Sequence, residues 1–378
     1  MANASINLGN GNWSVKESKL LGSRPIKDKI APIEFDVTRA STATRVNKQG
    51  LIETVNSNIA RIDYSNNAKG ALLLEPQSTN LINYSELFSD ASWTKQSGII
   101  PTYNTMETLS PDGTYNATKF IGDGAAGVYK AGNTVSGAIA RTVYLKSVTG
   151  TTTAIFKDPN AGGAGVVNLT ITNEWKRFEL IGSNGSSSQG LWIDNITSDG
   201  LYMWGAQLEQ NSYATSYIPT LTGTAQTRVA ETCGGAGDAS SINSEEGVLY
   251  AETATLANDG IRQISLSSGS NSNRVAISYN TNGRLDANVI SGGGFQAIFN
   301  YTGVVNPNTQ NKIALKYKLN DFALNGVEVA TDSSGITPIG LSVLNLSSAG
   351  IASEIFYGNT KDLRVYNTAL TDSELQAL

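Results

Sequence analysis

Histidine is absent from all 378 residues, and that removes most of the familiar catalytic chemistry. Without an imidazole, neither a Ser/His/Asp nor a Cys/His nucleophilic system can be built within the chain. Histidine-ligated zinc is excluded too, and the lone Cys233 cannot supply a thiolate set in its place. Carboxylates are then the acids and bases that remain. A Glu-x-Asp-x-(x)-Glu run on one strand would set acidic side chains beside a sugar, as retaining glycoside hydrolysis requires. The chain has no such triplet. Glu245 and Glu246 are adjacent and would face opposite sides of a strand, while Glu34-Phe35-Asp36 has one-face spacing but no third carboxylate. No catalytic residue and no metal ligand is assigned, and the chain is expected not to be an enzyme.

Aromatic residues offer a different chemistry. Their faces pack against the apolar side of pyranose rings, and the chain has five tryptophans and fifteen tyrosines. Trp192, in Leu191-Trp192-Ile193, adjoins Asp194 and Asn195, which would hydrogen-bond sugar hydroxyls. These three form the candidate glycan-binding set. Trp175 and Trp204 lie in strongly patterned segments where core packing is expected instead. Net charge is −5 with no basic run, so no nucleic-acid partner is expected. No run approaches the ~18 apolar residues of a membrane span. Met1 to Asn7 has neither a basic nor an apolar leader region, and one cysteine allows no intrachain disulfide. Both features suit assembly in a cytoplasm.

The elements that must position these residues are strands. Glycine reaches 38 residues and charged residues only 16%, while apolar residues stay near 40% along the whole length. That composition predicts an all-β fold with many turns. Val143 and Leu145 alternate with Thr142 and Tyr144, and Val167, Leu169 and Ile171 repeat the pattern. Turn clusters every ten residues or so favour β-sandwiches, here two jelly-roll domains. Residues 1–30 read as a short N-terminal arm, either a strand packed on the first domain or an attachment segment using Trp13, Leu20 and Leu21. Residues 31–232 form the first sandwich. The small, glycine-rich stretch 233–241 reads as a linker, and residues 242–378 as a second sandwich. Asn282-Gly283 and Asn325-Gly326 signal hairpins there. Thr371 with Glu374 forms a capping box that starts a short C-terminal helix.

Several separated segments carry a resemblance. They are Thr38-Arg39-Ala40-Ser41-Thr42-Ala43-Thr44-Arg45, Arg61-Ile62-Asp63-Tyr64, and Leu72-Leu73-Leu74-Glu75-Pro76-Gln77-Ser78-Thr79-Asn80-Leu81-Ile82. Trp204-Gly205-Ala206-Gln207-Leu208-Glu209 and Tyr213-Ala214-Thr215-Ser216-Tyr217-Ile218-Pro219-Thr220 follow in the expected order. Together they resemble bacteriophage virion proteins of the head spike fibre or tail fibre type, whose modules are similar to carbohydrate-binding jelly rolls. The resemblance implies a place on the virion surface, assembly in the host bacterial cytoplasm, a homotrimer, contact with capsid or tail proteins, and glycan binding. A capsid-surface head fibre or decoration protein is the leading expectation. A tail fibre or receptor-binding adhesin is the alternative, and a polysaccharide-degrading enzyme the third. Residues 242–378 are similar to laminin-G-like and concanavalin-A-like domains, ending in Leu370-Thr371-Asp372-Ser373-Glu374-Leu375-Gln376-Ala377-Leu378. Such domains often take calcium, for which Asp321, Asp332 and Asp362 would be the loop carboxylates. They form no recognisable ligand run, so no cofactor is assigned.

Overall fold

The computed structural model describes residues 3–159, 165–184, 188–301, 309–325, 330–349 and 354–378. The protein is all-β as expected, and among the described residues the α-helix is Asp372–Gln376. Its capping box forms: Glu374 N donates to Thr371 Oγ1, and Thr371 N donates back to Glu374 Oε2. The Asn282-Gly283 signal also lands in a hairpin. Strands Arg274–Tyr279 and Leu285–Ser291 pair across a turn closed by Gly283 N donating to Asn280 O. Asn325-Gly326 ends the strand Phe322–Asn325, and residues 326–329 lie outside the described residues.

The compact units do not follow the linear division 1–30, 31–232, 233–241 and 242–378. One unit comprises Met1–Ser41, Val55–Pro76 and Ala230–Leu378, and the other Thr42–Thr54 and Gln77–Val229. The expected arm is built of paired strands. Strand Ile6–Gly9 pairs antiparallel with Gly358–Tyr366, and Lys19–Ile26 forms a hairpin with Lys29–Thr38. Apolar residues of this stretch look sparse because only one face of each strand is buried. Ile6, Leu8, Leu20, Ile33, Phe35 and Val37 all enter one core with partners from the far end of the chain. The expected linker also begins as a strand. Thr232–Gly234 pairs with Lys29–Thr38, Cys233 is buried, and Ala236 bridges to Leu344.

In the first unit a large sheet runs Thr232–Gly234, Lys29–Thr38, Lys19–Ile26, Ile6–Gly9, Gly358–Tyr366, Glu246–Thr255, Asn311–Lys318, Phe322–Asn325, Ala330–Asp332. A second sheet runs Gly294–Tyr301, Leu285–Ser291, Arg274–Tyr279, Arg262–Ser267, Val343–Asn345. Leu249, Ile313, Leu315 and Leu363 from the first meet Ile264, Val275, Ile277 and Val289 from the second. Arg39, Arg61, Glu75 and Glu231 form a fully buried ion network. Glu231 Oε1 accepts from Arg39 Nη1 at 2.6 Å and from Arg61 Nε at 2.9 Å, and Arg61 Nη2 donates to Glu75 Oε2 at 2.8 Å. Leaving one member of such a set unpaired costs ~3–5 kcal/mol.

The second unit packs two five-stranded sheets around Phe88, Phe120, Val143, Phe156, Ile193 and Met203. One runs Thr94–Lys95, Val128–Asn133, Gln189–Asp194, Thr152–Lys157, Val166–Ile171; the other Ile100–Thr102, Thr118–Ile121, Leu201–Glu209, Gly137–Ser147, Lys176–Asn184. Leu201–Glu209 shifts register against Gly137–Ser147 between Thr142 and Tyr144, opposite Gly205. Gly205 has φ +63, a conformation glycine adopts without the steric cost other residues meet. Beyond the bulge, Ile218 N donates to Gln207 Oε1 at 2.6 Å and Thr215 N to Glu209 Oε2 at 3.0 Å. Asn80 Nδ2 donates to Ala206 O and Ile218 O, while its Oδ1 accepts from Leu208 N and Ile82 N. The motif residues from both ends of this unit are therefore tied into one buried hydrogen-bonded lock.

Candidate functional site

The outer face of the large sheet carries the candidate site, and strand alternation decides its residues. Along Ile6–Gly9, Gly358–Tyr366 and Glu246–Thr255, the core takes Ile6, Leu8, Leu363, Val365, Leu249 and Ala251. Asn7, Arg364, Asp362, Tyr250 and Glu252 therefore face the other way. Register sets them in rows. Pro32, Ser23, Asn7, Arg364, Tyr250 and Ala314 lie opposite one another across six strands. Gly9, Asp362, Glu252 and Lys312 form a second row.

Three cavities of about 520, 390 and 360 Å³ lie along this face. The first two share Asn7, Ser23 and Ile30, and the second and third share Arg364. The three therefore adjoin one another in a row, a furrow that crosses the strands. Six strands, from Lys29–Thr38 to Asn311–Lys318, at the usual interstrand spacing give it a reach of ~24 Å between Pro32 and Lys312.

One end is aromatic and apolar. Trp13, Leu21, Ile30 and Pro32 line it, with Asn7, Asn12, Ser14 and Ser23 as hydrogen-bonding groups. Trp13 is half-buried and fixed by its Nε1 donating to Lys69 O at 2.8 Å. Its six-membered ring lies against Gly9, where a Cβ would stand 2.9 Å from Trp13 Cη2 and closer still to Lys361 O. Gly9 also has φ +97, so the indole can lie there only over glycine.

The other end is charged. Lys361 pairs with Glu252, and Arg364 grips Asp362 through both Nε and Nη2. The Arg364 guanidinium also lies 5.3 Å from the Tyr250 ring centroid. Burial pushes the Asp362 carboxyl above its ordinary value, against the pull of Arg364. Glu252 and Asp362 face each other across adjacent strands, which places their Cβ atoms ~5 Å apart. No sequence motif signals this pair, because the two residues come from strands that meet only in the fold. The outward alternation of each strand is visible in the sequence; their register is not. A general acid needs a free carboxyl oxygen to protonate the leaving group. Arg364 engages both oxygens of Asp362, so that carboxyl has no free oxygen for such a step.

The residues singled out from sequence divide. Trp13 and Leu21 both line the furrow, whereas Leu20 is fully buried and cannot contact another protein in the folded state. Trp192 lies between two neighbours in register with it. Lys157 Nζ sits 3.7 Å from its ring centroid, and the Tyr129 ring lies 5.0 Å away at 41°. Lys157 also pairs with Asp194, and Asn195 adopts φ +53 at the end of the strand. The indole thus packs against both of its cross-strand neighbours and stays part-exposed. Trp204 is core as expected, and Trp175 is half-buried with Nε1 donating to Leu109 O. The three calcium candidates are not brought together. Asp321 pairs with Lys316, Asp332 caps Ser334 and Asp362 is held by Arg364. Among the described residues no cluster of three metal-ligating side chains occurs.

No protein-family model matches this chain, and no curated protein matches it in sequence. Similar solved structures include the CBM40 of a Ruminococcus gnavus IT-sialidase, 20% identical with TM-score 0.32, over 38% of this chain and 92% of that one. A CBM22 tandem from Paenibacillus barcinonensis is 11% identical with TM-score 0.28, over 78% of this chain and 100% of that one. Domains LG4-5 of the mouse laminin alpha1 chain are 9% identical with TM-score 0.25, over 75% of this chain and 96% of that one. Carbohydrate-binding modules and laminin G domains are thus what this chain is similar to, and the likeness assigns it no ligand.

Proposed function

We propose that this protein is a non-enzymatic structural component of a bacteriophage particle, a capsid-surface head fibre or decoration protein that also binds glycans. The observation carrying the glycan reading is the row of three adjoining cavities across the large sheet. An indole and hydrogen-bonding amides at one end, with ordered charges at the other, suit an extended sugar chain. The particle reading is supported by the ordered motifs from Thr38 to Thr220. The same reading makes the protein a homotrimer, and with no heptad run its subunits would meet through sandwich faces. Weak single-site binding is then strengthened by repeated presentation on one particle.

Mass spectrometry and imaging of purified virions test the placement. Many copies on the capsid surface are expected. Location at the tail tip would favour a tail fibre or receptor-binding adhesin, and absence from particles would contradict both. Incubation with capsular or storage polysaccharide should release no reducing ends. Turnover abolished by Glu252→Gln or Asp362→Asn would instead establish a polysaccharide-degrading enzyme.

A further inference from the structure

We propose that the saccharide taken by this furrow is acidic, its carboxylate or sulfate groups seated at Lys69 and Lys312. This rests on the glycan reading above and adds the ligand's charge class. The charged cavity of about 360 Å³ is lined by four cations, Lys69, Lys312, Lys361 and Arg364, against the side-chain carboxylates of Glu252 and Asp362 and the main-chain carboxylate of Leu378, the last residue of the sequence. Lys361 is committed to Glu252 and Arg364 to Asp362. Among the described residues Lys69 meets no carboxylate, and Lys312 meets only the main-chain carboxylate of Leu378. Lys69 Nζ donates to Asn10 Oδ1 at 2.9 Å, and Lys312 Nζ to the main-chain oxygen of Leu378 at 3.0 Å. An ammonium has three donors, so each keeps capacity for a further oxygen.

The whole chain carries −5, so a local surplus of cations runs against the character of its surface. Such a local surplus in a cavity attracts anions more strongly than the same charges on an open surface. The opposite end of the furrow has no such surplus; Trp13, Leu21, Ile30 and Pro32 present apolar surface there. A sugar chain lying along the furrow would place ring faces at Trp13 and acidic groups some strands away. Neutral polymers gain only the first of these contacts.

Intact protein titrated with polygalacturonate, dextran sulfate and neutral dextran, at low and at moderate salt, tests this. Both polyanions should bind at least tenfold more tightly than dextran, and the preference should shrink as salt rises. Replacing Lys69 and Lys312 together with alanine should weaken polyanion binding tenfold or more. Lys48→Ala, on an exposed residue of the other unit, should leave it unchanged. A carboxylate site favours polygalacturonate and a sulfate site dextran sulfate. Equal affinity for dextran, or undiminished polyanion binding in the double variant, would overturn the acidic preference while leaving a neutral glycan site intact. Binding to none of the three would overturn this inference, and loss of response to Trp13→Ala in every case would remove the furrow itself.

Discussion

Glu86 and Cys233 show how single residues in this fold answer to their surroundings. Glu86 accepts from Tyr217 Oη at 2.9 Å and from Asn116 Nδ2 at 3.0 Å. Burial raises its carboxyl from the ordinary 4.5 to about 7, with Asp112 adding to the rise and the Tyr217 hydrogen bond opposing it. A carboxyl whose folded value is raised favours the fold while protonated. Its contribution is therefore full below about 4.5 and is lost as pH climbs through about 7. The rise from 4.5 to about 7 corresponds to ~3 kcal/mol for the second unit. Thermal melts should show that unit losing stability between pH 5 and pH 8, and Glu86→Gln should flatten the loss. An unchanged slope in the variant would contradict the assignment. Cys233 is fully enclosed, and burial, then Asp36 and Glu231, push its thiol well up. Because the thiolate is the reacting form, a disulfide dye should label it only as fast as the first unit unfolds. Stoichiometric labelling of native protein within minutes would refute this.

At the scale of elements, the chain's two ends build one sheet. Ile6–Gly9 lies between Lys19–Ile26 and Gly358–Tyr366, and Lys19–Ile26 between Ile6–Gly9 and Lys29–Thr38, so removing residues 1–30 takes out two interior strands. The truncated chain is expected to lose the first unit's cooperative transition, or to be insoluble. Unchanged melting would mean that these strands are dispensable. Likewise, a fragment starting near Ser240 should not fold alone, since it lacks Ile6, Leu8, Leu20 and Phe35 from its own core. Much at this scale is legible in the sequence. Alternation marks Val166–Ile171 and Asn311–Lys318 as strands, and Thr371 with Glu374 marks the terminal helix. The N-terminal strands read as an arm for a physical reason. Local pattern reports which residues face inward, but not which distant strand closes the ladder. Ile6 meets Val365, and no local periodicity encodes that pairing. The furrow is hidden for the same reason, because Asn7, Arg364 and Glu252 share a face only once register is set. Trp192 differs in kind: its neighbours Tyr129 and Lys157 come from adjacent strands and pack against the ring.

For the whole molecule, motif residues and ligand-facing residues are largely separate sets. Arg39, Arg61, Glu75, Asn80, Gln207 and Glu209 are buried in the ion network and the hydrogen-bonded lock. The furrow is lined by other residues. What matters most for function is whether a saccharide lies along the outer face of the large sheet. Hydrogen–deuterium exchange of the intact protein, with and without oligogalacturonate, locates the ligand most directly. Strand amides are already protected, so the reporters are the turns at 10–13 and 27–28, beside Trp13 and Ile30. Slower exchange in both is expected, and it should disappear with Trp13→Ala and with Ile30→Asp, whose side chain is 80% exposed and does not support the core. Protection confined to residues 129–157 and 189–195, with none at 10–13 or 27–28, would contradict the furrow and return the site to Trp192.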